Sequence, residues 1–259
     1  MVKLSSALKF ASLGSGSKGN ATLIAVGDTC ILVDCGFSMR ETVNRLERSG
    51  KQPEQLAAIL LTHEHGDHIR GAGALSRKYG IPVWSTRGTA QVDILGDVSR
   101  QYFINAEEKF SIGNITVQAY PVPHDAREPC QYIFSNGKHK LGLLTDVGKG
   151  TPHIVEQLSS CDALLLECNH DSEMLFNGDY PPSLKQRVSG DLGHLSNQQA
   201  ADILAQLDTG NLKYIAAMHL SDKNNRAELA QQALSSVLGC DNDWINIADQ
   251  QDGLEWQKI

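Results

Sequence analysis

The chain has 259 residues, 41% hydrophobic and 20% charged, the composition of an ordinary globular protein long enough to bury a substantial core. Its net charge of −7 excludes a binder that gathers nucleic acid by a bulk basic surplus, and no apolar run approaches the roughly 20 residues of a membrane span. The opening stretch MVKLSSALKFASLG is interrupted by Lys9 and lacks a signal-peptide core, and the six cysteines form no C-x-x-C and no framework spacing, so a cytoplasmic protein with reduced thiols is expected.

LKFASL (8–13), ATLIAV (21–26) and CILVD (30–34) read as strands, the last two joined as a hairpin at Gly27-Asp28. Residues 39–49 carry a helical pattern through Val43 and Leu46. AAILLT (57–62) is a short continuous apolar run, as expected of a strand buried on both faces. Residues 68–79 read as a helix ending at Gly80, ahead of Pro82. IPVWS, FSIGNITVQAYPV and CQYIFS return to strand character, and Asn136-Gly137 is a turn leading into KLGLLTD (140–146). Thr151 caps a helix with Pro152 at its first position. DALLLEC (162–168) is another buried strand. Residues 172–193, with Gly178, Pro181, Pro182 and Gly190, read as a long surface excursion. Ser196 caps a helix to about Leu207, KYIAAMHL (213–220) is a strand, and 225–238 is a helix. No linker, repeat or low-complexity tract divides the chain. Both halves share an outline of strands followed by strand–helix units, so an α/β (α+β) fold is expected: one four-layer αββα sandwich over residues 1–259.

The strongest chemical signal is Thr62-His63-Glu64-His65-Gly66-Asp67-His68, at the end of a buried strand. In an extended segment His63, His65 and Asp67 share a side, and a tight turn at Gly66 brings His68 to the same place. Three imidazoles and a carboxylate suit Zn, Fe or Mn. The pattern is not H-E-x-x-H, and a solvated loop is a poor alternative directly after a buried strand. One loop cannot enclose two ions, so partners must come from other strand ends: His124 after AYPVP, Asp146 after KLGLLT and His219 after YIAAM. A single tetrahedral ion would leave about three of these seven candidates unused. Alone, a His or Asp at a strand end is more often a cap or a surface residue; it is the set that points to metal.

Gly14-Ser15-Gly16-Ser17-Lys18-Gly19 matches G-x-G-x-x-G, and Asp34 lies twenty residues after Gly14. A hairpin follows instead of a helix, so no helix N-terminus is offered to a pyrophosphate and no nucleotide cofactor is expected. A tight turn at the site mouth is the better reading, with Ser15, Ser17, Lys18 or Asn20 near a phosphate. His170 falls one turn after Glu167 if a helix starts there, which would face it toward the same cleft. Lys185 and Arg187, a basic pair within the 172–193 excursion, are candidates for a phosphate backbone, although a solvated face is the commoner explanation.

T-H-E-H-G-D-H followed in order by His124, Asp146 and His219 resembles the metallo-β-lactamase fold over essentially the whole chain. The resemblance implies a two-metal site, with His63, His65, His124 and Asp146 on one ion. Asp67, His68, His219 and bridging Asp146 would hold the other, Asp67 also counting among the catalytic residues. Asp34, in L-V-D-C-G, then resembles the residue that braces the metal loop. Glu167, with His194 in a G-H-x-S segment ahead of an Ala-rich helix, resembles the proton-transfer pair of ribonuclease Z-type phosphodiesterases. Gly14–Asn20, E-C-N-H-D at 167–171, G-H-L-S-N at 193–197 and H-L-S-D-K-N-N at 219–225 resemble the YycJ (WalJ) group, which is associated with 5′→3′ exonuclease action on DNA. The 22 residues from His124 to Asp146 leave no room for the tRNA-gripping arm of ribonuclease Z, and the 73 from Asp146 to His219 leave none for the extra domain of β-CASP nucleases. The implied activity is a metal-dependent phosphodiesterase on DNA. The alternative is a small-molecule hydrolase of the same fold acting on a thioester, lactone or small cyclic phosphodiester. A regulatory protein with one structural zinc would need only four ligands and no open position.

Overall fold

The computed structural model describes residues 6–259, so the first part of the opening stretch read against secretion lies outside the described residues. Two seven-stranded sheets stack face to face. The first holds β1 (Leu8–Gly14), β2 (Ala21–Val26), β3 (Thr29–Val33), β4 (Ala58–Leu60), β5 (Val83–Ser85) and β6 (Gln101–Phe103), with the last strand of the chain, β14 (Leu254–Lys258), paired to the outside of β1. The second runs from β7 (Lys109–Ile112) through β8 (Ile115–Pro121), β9 (Cys130–Ser135), β10 (Lys140–Leu144), β11 (Ala163–Glu167) and β12 (Tyr214–Met218) to β13 (Asn246–Ile247). Helices α1 (Met39–Arg48), α2 (Gly66–Ile69), α3 (Ala72–Tyr79) and α4 (Arg87–Ala90) belong to the first half, and α5 (Pro152–Leu158), α6 (Ser172–Asn177), α7 (Pro182–Ser189), α8 (Asn197–Leu204) and α9 (Ala227–Leu238) to the second.

The layers follow from strands that are apolar on both faces. In β4, Ala58 and Leu60 enter the cluster between the sheets, and Ile59 enters the one covered by α1 and α3. In β11, Ala163 and Leu165 face inward, while Leu164 and Leu166 pack outward with Ala200 of α8 and Leu234 of α9. Period-two alternation thus fills three apolar layers, and the result is the expected αββα sandwich.

Two elements differ from the sequence reading. The helix expected over 68–79 is broken at Gly71, whose N–H donates to the Cys35 carbonyl and whose added Cβ would stand 2.3 Å from the Phe37 carbonyl oxygen. The break lets the metal loop dock on the segment after β3. The 172–193 excursion contains two short helices; α7 has no buried residue, so it carries no apolar stripe to betray it.

The topology sets the site. β3 and β4 are parallel, as are β10, β11 and β12. β8 and β10 are each antiparallel to β9 and therefore run the same way. All these strands end along one edge of the sandwich.

Candidate metal centre and its acid–base pair

Each strand delivers its polar residue at or shortly after its end. Asp34 follows β3, the His63–His68 loop follows β4, His124 follows β8, Asp146 follows β10, Glu167 ends β11 and His219 follows β12. Asp34, Asp146 and His219 have φ of 60°, 52° and 55°. Non-glycine residues seldom enter this left-handed region, and each does so where the chain turns off a strand into the shared cleft.

The ring nitrogens sort into outward donors and inward lone pairs. His63 Nδ1 is 2.9 Å from Thr62 Oγ1, whose own proton goes to Asp34 Oδ2 at 2.9 Å. His68 Nδ1 donates to Asp34 Oδ2 at 2.8 Å, His124 Nδ1 to the Gly193 carbonyl at 3.0 Å, and His65 Nε2 to the Asp125 carbonyl at 3.3 Å. These bonds leave His63 Nε2, His65 Nδ1, His68 Nε2 and His124 Nε2 turned inward, the arrangement that outer partners impose on metal-ligating histidines. His65 Nδ1 and His124 Nε2 face each other at 3.2 Å. His63 Nε2 and His219 Nε2 are buried without a hydrogen-bond partner, and Asp146 Oδ2 lies 3.0 Å from His68 Nε2 without the direction of a hydrogen bond. Buried polar atoms left unpaired are costly, and here they converge. Ligand atoms of His63, His65 and His124 lie within 4.8 Å of one another, and so do those of His63, His68 and Asp146, and of Asp67, His68 and His219. The donor set fits divalent metal.

Glu167 is fully buried and accepts from four N–H groups. Its Oε1 takes His194 Nδ1 at 2.9 Å and His219 Nδ1 at 3.2 Å; its Oε2 takes the backbone N–H of Val147 at 3.0 Å and of Leu195 at 3.2 Å. Burial opposes its charge, but the two imidazoles outweigh that and hold its pKa down at about 2. Burial likewise lowers the His219 pKa, but Asp146, Asp67 and Glu167 raise it to about 10. His194 is raised above the ordinary imidazole value, with Glu167 and Asp146 overcoming its desolvation. With Nδ1 committed to Glu167, Nε2 is the other nitrogen of His194, and the residue lines a cavity of about 340 Å³ together with Asp67, Asp146 and α7.

The remaining candidates separate by position. Asn20 Nδ2 lies 3.1 Å from His68 Nε2, and its Oδ1 accepts from the Gly16 N–H at 2.9 Å, which ties the glycine-rich turn to the metal loop. Ser17 lines the same cavity, while Lys18 reaches across to Asp222 Oδ2 at 2.5 Å. His170 is buried behind the site. Its backbone pairs with the Leu195–Asn197 segment, and burial, the main influence on it, drives its pKa down to about 4. The basic pair of the excursion splits: Lys185 Nζ donates to the Phe176 carbonyl at 2.6 Å, whereas Arg187 lines the cavity and donates from Nε to Asp125 Oδ2 at 2.7 Å. Asp125 itself was not singled out from the sequence. Its place directly after His124 was the available signal, and its Oδ1 lies 3.6 Å from both His65 Nε2 and His124 Nε2.

The family model described as the beta-lactamase superfamily domain matches residues 29–216. With the fold and the His/Asp cluster, this defines the class: the chain belongs to the metallo-β-lactamase superfamily. Within that class it groups with YycJ-like proteins. It is 37% identical over 235 residues to Exodeoxyribonuclease YycJ of Bacillus anthracis, covering 89% of each chain. It is 36% identical to Exodeoxyribonuclease WalJ of Streptococcus pneumoniae, covering 89% of this chain and 88% of that one. Among solved structures, the metallo-β-lactamase fold protein YhfI from Bacillus subtilis superposes with a TM-score of 0.77 at 18% identity, over 98% of this chain and 100% of that one, and shares the fold.

Proposed function

We propose that the chain is a two-metal phosphodiesterase acting as a 5′→3′ exodeoxyribonuclease. The observation that carries the reading is the His194–Glu167 pair beside the converging ligands, backed by relatives that are named exodeoxyribonucleases. His63, His65, His124 and Asp146 would hold one ion; Asp67, His68, His219 and Asp146 would hold the second. When bound, the ions supply Lewis acidity toward phosphoryl oxygens and a water acidic enough to ionise near neutrality. His194 donates the proton that the leaving oxygen needs. Glu167 fixes its tautomer and, with Asp146, raises its pKa above the ordinary imidazole value against the effect of burial. Asp34 holds His68 from behind at Nδ1, and Asn20 stands beside its inward Nε2. Zn, Mn and Fe all suit this donor set.

A second reading, a small-molecule hydrolase on the same site, draws support from the net charge of −7 and the modest cavity. One assay separates the two: metal-loaded protein with DNA labelled at either end, beside a chromogenic phosphodiester. Stepwise loss of label from the 5′ end supports the nuclease. Turnover of small esters, with no DNA loss under any metal, overturns it. We further read residues 1–259 as one folding unit, because the ligands span residues 63 to 219 across both sheets. No helix among the described residues is long and apolar enough to cross a membrane, and six unpaired cysteines suit the cytoplasm.

A further inference from the structure

Resting on the nuclease reading, we propose that α7 is the end wall of the active-site cleft and that Arg187 binds the 5′-terminal phosphate of the strand being degraded. Leu184, Arg187 and Val188 of α7 line the same cavity as Asp67, Asp146 and His194. α7 buries none of its residues. It is fixed instead by its C-terminal end: the Val188 carbonyl accepts the His194 N–H at 2.8 Å, and Gly193 sits so close that an added Cβ would stand 2.2 Å from the Arg187 carbonyl oxygen. The segment that holds the acid–base histidine therefore also holds the wall.

The chemistry sets which part of the substrate meets that wall. With Nδ1 bound to Glu167, His194 has Nε2 to protonate the leaving oxygen. In hydrolysis that leaves a 5′-phosphate on the shortened strand, the water oxygen bonds to phosphorus and the P–O3′ bond breaks. The electron pair stays on O3′, which takes the His194 proton. The nucleotide that departs carries O3′, so it is the one on the 5′ side, between the reacting phosphorus and α7. At about 340 Å³ the cavity is near the lower end of small-ligand sites, the scale of one nucleotide. Its 5′-phosphate then faces Arg187. That guanidinium is 62% exposed and spends only Nε on a hydrogen bond to Asp125 among the described residues. The remaining N–H groups form the planar fork that matches a phosphate.

The test uses metal-loaded full-length protein on a single-stranded oligonucleotide with a 5′-phosphate, the same strand with a 5′-hydroxyl, a closed single-stranded circle, and bis(p-nitrophenyl) phosphate. The phosphorylated strand should be preferred about 10- to 100-fold in kcat/KM, a charge-assisted fork's worth. Arg187→Ala should lower kcat/KM on the phosphorylated strand about 10- to 100-fold more than on the hydroxyl strand or the nitrophenyl diester, so that the preference is erased, and Arg187→Lys should restore part of it. The circle should stay intact. Equal use of both strands by the native protein, or a preference that survives in Arg187→Ala, overturns the assignment of Arg187; cutting of the circle overturns the wall. If no DNA is degraded, the nuclease reading fails separately. The phosphate pocket is then read by competition against the nitrophenyl diester: dTMP should inhibit more strongly than thymidine, and Arg187→Ala should remove that difference. Equal inhibition in the native protein refutes the pocket.

Discussion

Glu167→Gln is a near-isosteric change with an unavoidable conflict. All four neighbours of the carboxylate are N–H donors, two on each oxygen. A glutamine offers one oxygen and one NH₂. If its oxygen faces the imidazoles, the NH₂ meets the N–H groups of Val147 and Leu195. If it is flipped, the NH₂ meets His194 and His219, which must then give up their Nδ1 protons and accept there, leaving any ring proton on Nε2. For His219 that is the nitrogen turned toward the metals. Breaking a buried, paired charge costs about 3–5 kcal/mol. At about 2–4 °C per kcal/mol for a chain near this length, the metal-free protein should melt about 6–20 °C lower. Calorimetry in excess chelator isolates this effect from bound metal, and metal titration of the same variant should show weakened binding of one ion. A melting drop below about 3 °C, with both metals bound at native affinity, would refute the four-donor argument.

Four other outcomes are expected. His194→Ala should keep its metal yet slow DNA cleavage by roughly 10²–10⁴-fold, with a smaller defect on a nitrophenyl diester whose leaving group needs no proton; an equal defect on both, or depleted metal, would place His194 among the ligands, whereas His219→Ala should lose metal and activity together. Elemental analysis after metal supplementation should give two ions per chain, and chelation should lower a single melting transition; a stoichiometry fixed at one, or two separated transitions with one chelator-sensitive, would contradict the shared site. The metal-free His219 is protonated at neutral pH because Asp146, Asp67 and Glu167 outweigh its burial and hold its pKa at about 10. Metal binding should therefore release protons, a release that calorimetry in buffers of different ionisation enthalpy reads and that fades above pH 10. The same raised value means that its share of metal-free stability is full below the ordinary imidazole pKa and is lost as pH rises toward 10. Five of the six cysteines are buried and Cys240 is partly exposed, so a thiol reagent should modify about one thiol in the native protein and six after unfolding; rapid reaction of several native thiols would contradict the packing.

Much of the site was legible because its chemistry is concentrated in residue types that rarely end buried strands. His63, His65, Asp67 and His68 stand together in the sequence, and His124, Asp146 and His219 each follow an apolar run. The double duty of Glu167 was not legible, since it depends on His194 and His219 meeting in space across segments that the chain keeps apart. α7 was hidden for a different reason: a helix held by an ion pair and by backbone bonds at its end has no hydrophobic period to display. β14 escaped because its partner β1 lies at the other end of the sequence and L-E-W-Q-K offers no clean alternation. The break at Gly71 answers to the Phe37 carbonyl, a contact that local propensity cannot anticipate.

The pairing of β14 with β1 brings Leu8 and Ile259 together through two backbone hydrogen bonds, of 3.2 and 2.9 Å. Midway along the chain, the Asn136-Gly137 hairpin between β9 and β10 could be cut without displacing a ligand. Cut at that hairpin, the polypeptide becomes two fragments. One keeps β1 to β9 with His63, His65, Asp67, His68 and His124; the other keeps β10 to β14 with Asp146, Glu167, His194 and His219. Neither half carries the full ligand set proposed for either ion, since Asp146 is shared and lies in the second fragment while the loop histidines lie in the first, so the architecture lends itself to a split protein whose reassembly is reported by restored two-metal binding.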